Sequence, residues 1–169
     1  MSAGVLRRRV FLSVGMVLMA HWAVGCTPGS KALIAVERNE SGGVRLLVSP
    51  CPEFGIRTIS VFLDDDTAPA EDWSLKKEGA GVFPSRIDLF APPVGYKIDK
   101  GTLTELKPAN SYVAEIAGEV GSKPLSGRVE FSLEGIGELR SGQVLTGVRG
   151  GAVMDRKEFM EAPPGDCKP

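Results

Sequence analysis

After the first thirty residues the chain is a succession of short apolar runs broken by glycine, proline and small polar residues. Residues 31–38 read Lys-Ala-Leu-Ile-Ala-Val-Glu-Arg, Glu40-Ser41-Gly42-Gly43 supplies a turn, and residues 44–48 read Val-Arg-Leu-Leu-Val, which together predict a hairpin. Residues 56–63 alternate, with Ile56, Thr58 and Ser60 toward one face and Arg57, Ile59, Val61 and Leu63 toward the other, the period of a half-buried strand. Asp64-Asp65-Asp66 ends that strand, because three like charges do not sit in a packed sheet, and a loop runs on to Asp72. Residues 73–77, 86–90 and 96–99 are shorter strand candidates, separated by Glu78-Gly79-Ala80-Gly81 and Ala91-Pro92-Pro93. Residues 111–120 and 127–133 read as an antiparallel pair about Gly121-Ser122-Lys123-Pro124. Residues 144–148 form one more strand candidate, and residues 155–160 one helical turn capped by Asp155. About seven short strands with Gly and Pro punctuation, and no helical periodicity over three turns, predict a mainly β, antiparallel sandwich.

The first 25 residues break the pattern. Arg7, Arg8 and Arg9 precede an apolar run over residues 10–24, too short to span a bilayer as a helix and ending in small residues, which is the layout of an export signal. The run closes on Ala23-Val24-Gly25-Cys26, which resembles the lipobox of bacterial lipoproteins, with Ala where Leu is usual. That resemblance implies cleavage before Cys26, acylation of its thiol, and a stable anchor made of two or more acyl chains. The chain then divides into a signal over residues 1–25, a lipidated tether over 26–30 (Cys-Thr-Pro-Gly-Ser), and one β-rich domain over 31–169. An ordinary disulfide cysteine behind a plain signal peptide is the alternative for Cys26. Arg8-Arg9-Val10-Phe11-Leu12 also resembles the twin-arginine export motif, while three arginines equally supply the positive start of any signal.

Of the three cysteines, acylation of Cys26 leaves Cys51 and Cys167. An even remainder outside the membrane predicts one disulfide, clipping the proline-rich C-terminal tail to Ser49-Pro50-Cys51-Pro52. Charge narrows the partners. The formal net charge is −1, and removing the three arginines of the signal leaves −4, so the mature part lacks the footprint that neutralises phosphates and nucleic acid is not an expected partner.

Leu106-Lys107-Pro108-Ala109-Asn110-Ser111-Tyr112 resembles the tyrosine corner of fibronectin type III and related immunoglobulin-like domains, with Leu106, Pro108 and Tyr112 in register. The resemblance implies a strand beginning at Tyr112, whose phenol bonds back to the backbone upstream. It implies an architecture and carries no function. The tryptophan usual in an early strand of such domains is not evident, since Trp73 follows the acidic loop.

The single histidine, His21, lies in the signal, which excludes Ser-His-Asp and Cys-His catalysis and most zinc, copper and iron sites from the mature part. The one acidic cluster is Asp64, Asp65, Asp66, Glu71 and Asp72. Contiguous aspartates alternate direction, so Asp64, Asp66, Glu71 and Asp72 are weak calcium candidates and a solvated loop is the expected reading. No cofactor is expected. Trp73 and Tyr96, with the less regular stretch around them, are the candidate recognition residues. The layout as a whole resembles the small lipoproteins of unknown function of actinomycete-type bacteria. The expectation is a lipid-anchored, non-enzymatic binding or accessory module on the outer side of the cell membrane, with an envelope protein or glycan as partner. The alternative is a small envelope enzyme or solute-binding lipoprotein using carboxylates beside Trp73.

Overall fold

A computed structural model describes residues 32–65, 67, 70–79, 84–147, 151–161, 164 and 167. Cys26, with the proposed signal and tether, and Asp66 of the acidic cluster lie outside these residues. The elements in chain order are β1 (Ile34–Arg38), β2 (Val44–Val48), β3 (Phe54–Leu63), β4 (Asp72–Lys77), β5 (Arg86–Asp88), β6 (Tyr96–Gly101), β7 (Ser111–Val120), β8 (Lys123–Ser132), α1 (Leu133–Glu138), β9 (Gln143–Thr146), β10 (Ala152–Asp155) and α2 (Arg156–Glu161). Two antiparallel five-stranded sheets result, in the orders β10-β9-β1-β2-β5 and β6-β4-β3-β7-β8, and they pack face to face as a sandwich.

Alternation decides what lies between the sheets. Ile34 and Val36 of β1, Leu46 and Val48 of β2, and Ile87 of β5 meet Ile59 and Val61 of β3, Trp73 and Leu75 of β4, and Tyr112, Ala114 and Ile116 of β7. The opposite face of the first sheet has a smaller core of its own, where Ala35, Leu47 and Val144 pack under Phe159 of α2. A sheet covered on both faces explains why β1 and β2 read as continuous apolar runs rather than as alternating strands.

The β1–β2 turn forms because the Asn39 side-chain oxygen accepts from the backbone N–H groups of Ser41 (3.1 Å) and Gly43 (2.8 Å), while Gly42 takes the left-handed φ of 87° that the turn demands. Strand β3 departs from the simple alternation expected of residues 56–63. Its register against β7 shifts between Ile56 and Thr58, a β-bulge, so Ile56 and Ile59 both face inward while Arg57 and Thr58 are exposed. Gly118 stands opposite Ile56 because a Cβ there would overlap the Gly55 carbonyl.

Three further details differ from the sequence expectation. The β7–β8 turn is tighter than the four residues Gly121–Pro124, since Lys123 already pairs with Val120. The second strand of that pair ends at Ser132, whose hydroxyl caps α1 by accepting from Gly135 N–H at 3.1 Å. Strand β10 precedes the expected helical turn, and Asp155 does cap it, accepting from Lys157 N–H at 2.7 Å. Among the described residues no helix is long and apolar enough to cross a membrane.

Cys51 and Cys167 form a disulfide with their Cα atoms 5.3 Å apart, and both belong to the main core. At the other end, Tyr112 is fully buried and its hydroxyl accepts from the Lys107 backbone N–H at 2.6 Å. The phenol therefore bonds back to the chain five residues upstream, as the Leu-x-Pro-x-x-x-Tyr resemblance implied.

Candidate functional site

The residues singled out in the sequence do not converge on one place. Trp73 is 1% exposed and Tyr96 8%, so neither offers a recognition face, and the expectation of a patch built on them is corrected: both are core side chains. Burial also raises the Tyr96 phenol above its ordinary pKa. The described acidic residues lie where β3 ends and β4 begins, and they are tied down separately. Asp72 binds Lys100 Nζ at 2.7 Å and Thr102 Oγ1 at 3.1 Å, and Glu71 lies 3.4 Å from Lys107 Nζ. The carboxylate of Asp65 accepts from the N–H and hydroxyl of Thr67, an Asx turn, and the Asp64 N–H donates to the Ser111 carbonyl. Among the described residues no three of His, Cys, Asp and Glu come together as a metal site.

A groove of about 700 Å³ lies instead at one end of the sandwich, where the β1–β2 turn, the chain after β5, the loop between β6 and β7 and the start of α1 meet. Leu89, Phe90, Leu106 and Leu133 contribute an apolar wall, and Asn39, Arg45, Asp88 and Glu105 a polar one. Strand register sets the polar wall. Glu37 of β1 pairs with Arg45 of β2, and Arg45 pairs with Asp88 of β5, so the three side chains form one row across the outer face of the first sheet.

The row is an ordered chain of charges. Arg45 grips Asp88 through two nitrogens, Nε to Oδ1 at 2.8 Å and Nη2 to Oδ2 at 3.2 Å, and Asn39 Nδ2 donates to the same Oδ1 at 3.1 Å. Arg45 Nη1 lies 3.8 Å from Glu37 Oε1, and Arg156, at the start of α2, donates from Nε to Glu37 Oε2 at 2.7 Å. The hydrogen bonds from Arg45 and then Asn39 hold the Asp88 carboxyl below the usual carboxylate range, and the bond to Asp88 raises the Arg45 guanidinium further. Both groups stay charged across the neutral range, which suits ligand binding and not proton transfer, for which a pKa near the working pH is best.

Phe90 joins this groove to the core. It is the one non-glycine among the described residues with a left-handed backbone, φ 67°, and the Ala91 N–H closes a turn onto the Asp88 carbonyl at 3.1 Å. A bulky residue pays strain in this region of φ, and here the conformation lays its ring edge-on against Trp73, centroids 6.0 Å apart. Trp73 thus sits one layer behind the groove, and its Nε1–H has no hydrogen-bond partner among the described residues.

Asn39, Glu37, Arg45 and Asp88 were not singled out by sequence reasoning, whereas Phe90 falls in the irregular aromatic stretch that was. A signal for two of them was present: Glu37 and Arg45 each interrupt an otherwise apolar strand, and a charge kept within such a run calls for a partner. No protein-family model, no curated protein and no solved structure matches this chain.

Proposed function

We propose that the protein is a non-enzymatic binding module of the bacterial cell envelope, anchored on the outer side of the membrane through acylated Cys26, and that it takes its envelope protein or glycan partner in the end groove. The observation that carries the reading is the groove itself, with one apolar wall and one wall of charges fixed by a two-nitrogen ion pair. Places of this kind, on loops at one end of a rigid sandwich, are where β-sandwich domains commonly bind.

The finer fold reading is an immunoglobulin or fibronectin type III-like domain. It is supported by β1-β2-β5 facing β3-β7-β8, the arrangement of strands A-B-E against C-F-G, and by the Tyr112 to Lys107 bond at the entry to the strand equivalent to F. The remaining strands extend both sheets beyond that frame. The disulfide, which needs an oxidising compartment to form and persist, supports export.

Labelled palmitate tests the anchor. It should enter the wild-type protein and not a Cys26→Ala variant, and the variant should leave the membrane fraction. Equal labelling of the two proteins would end the lipoprotein reading.

A further inference from the structure

The two ends of the sandwich differ in charge, and strand register shows by which end the chain enters. Strand β1 begins at Ile34, opposite Val48, and runs toward the β1–β2 turn that lines the groove, so the entry is at the end away from the groove. Strands β3 and β8 begin at that same end, where Phe54 and Lys123 both pair with Val120 of β7. Leu33 ties the two sheets together there, packing so closely on β8 that a Cβ at Gly127 would stand 2.7 Å from the Leu33 Cβ. Strand β4 ends and β6 begins on this side as well, with Lys77 opposite Tyr96, and the Glu78 N–H extends the pairing by donating to the Gly95 carbonyl at 2.7 Å.

This entry end is basic and carries an apolar tip. Lys76, Lys77 and Lys123 are exposed and make no ion pair with a described residue. Of the described acidic residues nearby, Glu78 is held by Lys97 at 2.7 Å and Glu119 by Arg57, which leaves Glu53. Val94, in the turn leading into β6, is 95% exposed, against 47% for Ile98 and 53% for Val153, the other exposed large apolar side chains among the described residues. The groove end has the reverse balance. Glu40, Glu105, Glu134 and Glu138 are exposed there without a described ion-pair partner, and they outnumber Arg38 and Arg140. A mature part that is negative overall is therefore polarised along its length.

Chain length says what the basic end meets. On the anchored reading, on which this inference rests, residues 26–31 are all that separate the acylated cysteine from Ala32, and fully extended they reach about 20 Å. The groove lies about one strand further, roughly 34 Å for the ten residues of β7, so the tether holds the entry end and not the groove against the bilayer. Lysines near an anionic surface are attracted within a Debye length, about 8 Å at physiological salt, without needing to touch a head group. The same surface repels the acidic end.

We propose that the entry end is a membrane-facing surface, resting on anionic lipid head groups through Lys76, Lys77 and Lys123 with the Val94 tip in the head-group layer. The groove then points away from the membrane, toward whatever it binds.

Lysine footprinting of the mature, acylated protein tests this. The protein is added to vesicles of phosphatidylcholine, or of phosphatidylcholine and phosphatidylglycerol in equal parts, pulsed with the neutral reagent N-hydroxysuccinimide acetate, and read by peptide mass spectrometry. On the mixed vesicles Lys76, Lys77 and Lys123 should be acetylated about threefold more slowly than on phosphatidylcholine, and about 1 M NaCl should abolish the difference. Lys107 and Lys157, away from this end, should react equally on both. A variant with Lys76→Glu and Lys77→Glu, both exposed positions, should lose most of the protection at Lys123. Equal rates on the two vesicles, or Lys107 protected as strongly as Lys123, would overturn the proposal. Flotation separates this from failure of the anchor: an acylated protein floats with both vesicles, whereas one that does not float with phosphatidylcholine has no anchor, and both readings fall.

Discussion

Reducing the Cys51–Cys167 bridge should produce the largest change in stability that a single covalent step can make in this protein. The two cysteines are 116 residues apart in sequence. In the chain-entropy treatment, opening a loop of that length restores conformational freedom to the unfolded chain worth about 5 kcal/mol at 25 °C. The folded state loses little, because both sulfurs stay within the same core and no atom is removed. Compactness of the unfolded chain lowers the figure, so a fall of about 3–5 kcal/mol is expected. With a urea dependence of about 2 kcal/mol per molar, the unfolding midpoint should drop by about 2 M, and the melting temperature by about 10–15 °C. The assay is urea unfolding of oxidised and dithiothreitol-treated protein, followed by tryptophan fluorescence, with thiol alkylation and mass measurement to show which sulfurs are free. A midpoint shift below about 0.5 M in protein shown to have released both thiols would refute the loop-closure reasoning. The tail would then be held by its packing and not by its crosslink.

Two further predictions concern the groove. Replacing Phe90 by glycine should relieve about 1 kcal/mol of left-handed backbone strain and lose about 2 kcal/mol of half-buried ring packing, a small net destabilisation. Acrylamide should then quench Trp73, the sole indole once residues 1–25 are removed, and a Trp73 as shielded as in the wild type would mean that Phe90 is not its cover. For Asp88→Asn the sign follows from the lowered carboxyl pKa: the stabilisation is present above pH ~4 and is lost as pH falls through the folded value. Because the Asp88 side chain is 45% exposed, the variant should cost only about 0.5–1 kcal/mol at pH 7 in urea unfolding, a difference that narrows as pH falls from 7 to below ~4. A constant difference across that range would show that charge is not what Asp88 contributes.

Most of the strand plan was legible because it is written in local terms. Glu40-Ser41-Gly42-Gly43 between two apolar runs, and the alternation of residues 111–120, need no knowledge of the rest of the chain. Trp73 shows how a local signal can be read two ways. As an isolated aromatic beyond an acidic loop it invited a binding role, yet Asp72-Trp73-Ser74-Leu75 alternates, and that period places Trp73 with Leu75 on the buried face of β4. The bulge at Arg57 was not legible, because it is set by the register against β7. The candidate sites were the least legible. Arg45 and Asp88 are 43 residues apart, and Glu37 and Arg156 are 119 apart, so their pairing exists only once strand order is known. Helix α1 escaped because its six residues include two glycines, and its formation rests on the Ser132 cap and the buried Ile136 rather than on intrinsic propensity.

The pairing of β1 with β9 has a consequence for how the protein is made. Ala35, among the first residues of the β-rich region to leave the ribosome, pairs early with Leu47 on one flank but finds its neighbour on the other flank only in Thr146. A nascent chain that has emerged as far as Ser132 holds the entire second sheet but has one flank of β1 bare. Such a flank is an open template for wrong pairing between copies. Completion therefore comes late and from the tail, and any factor that escorts this protein must shield its beginning until its end arrives.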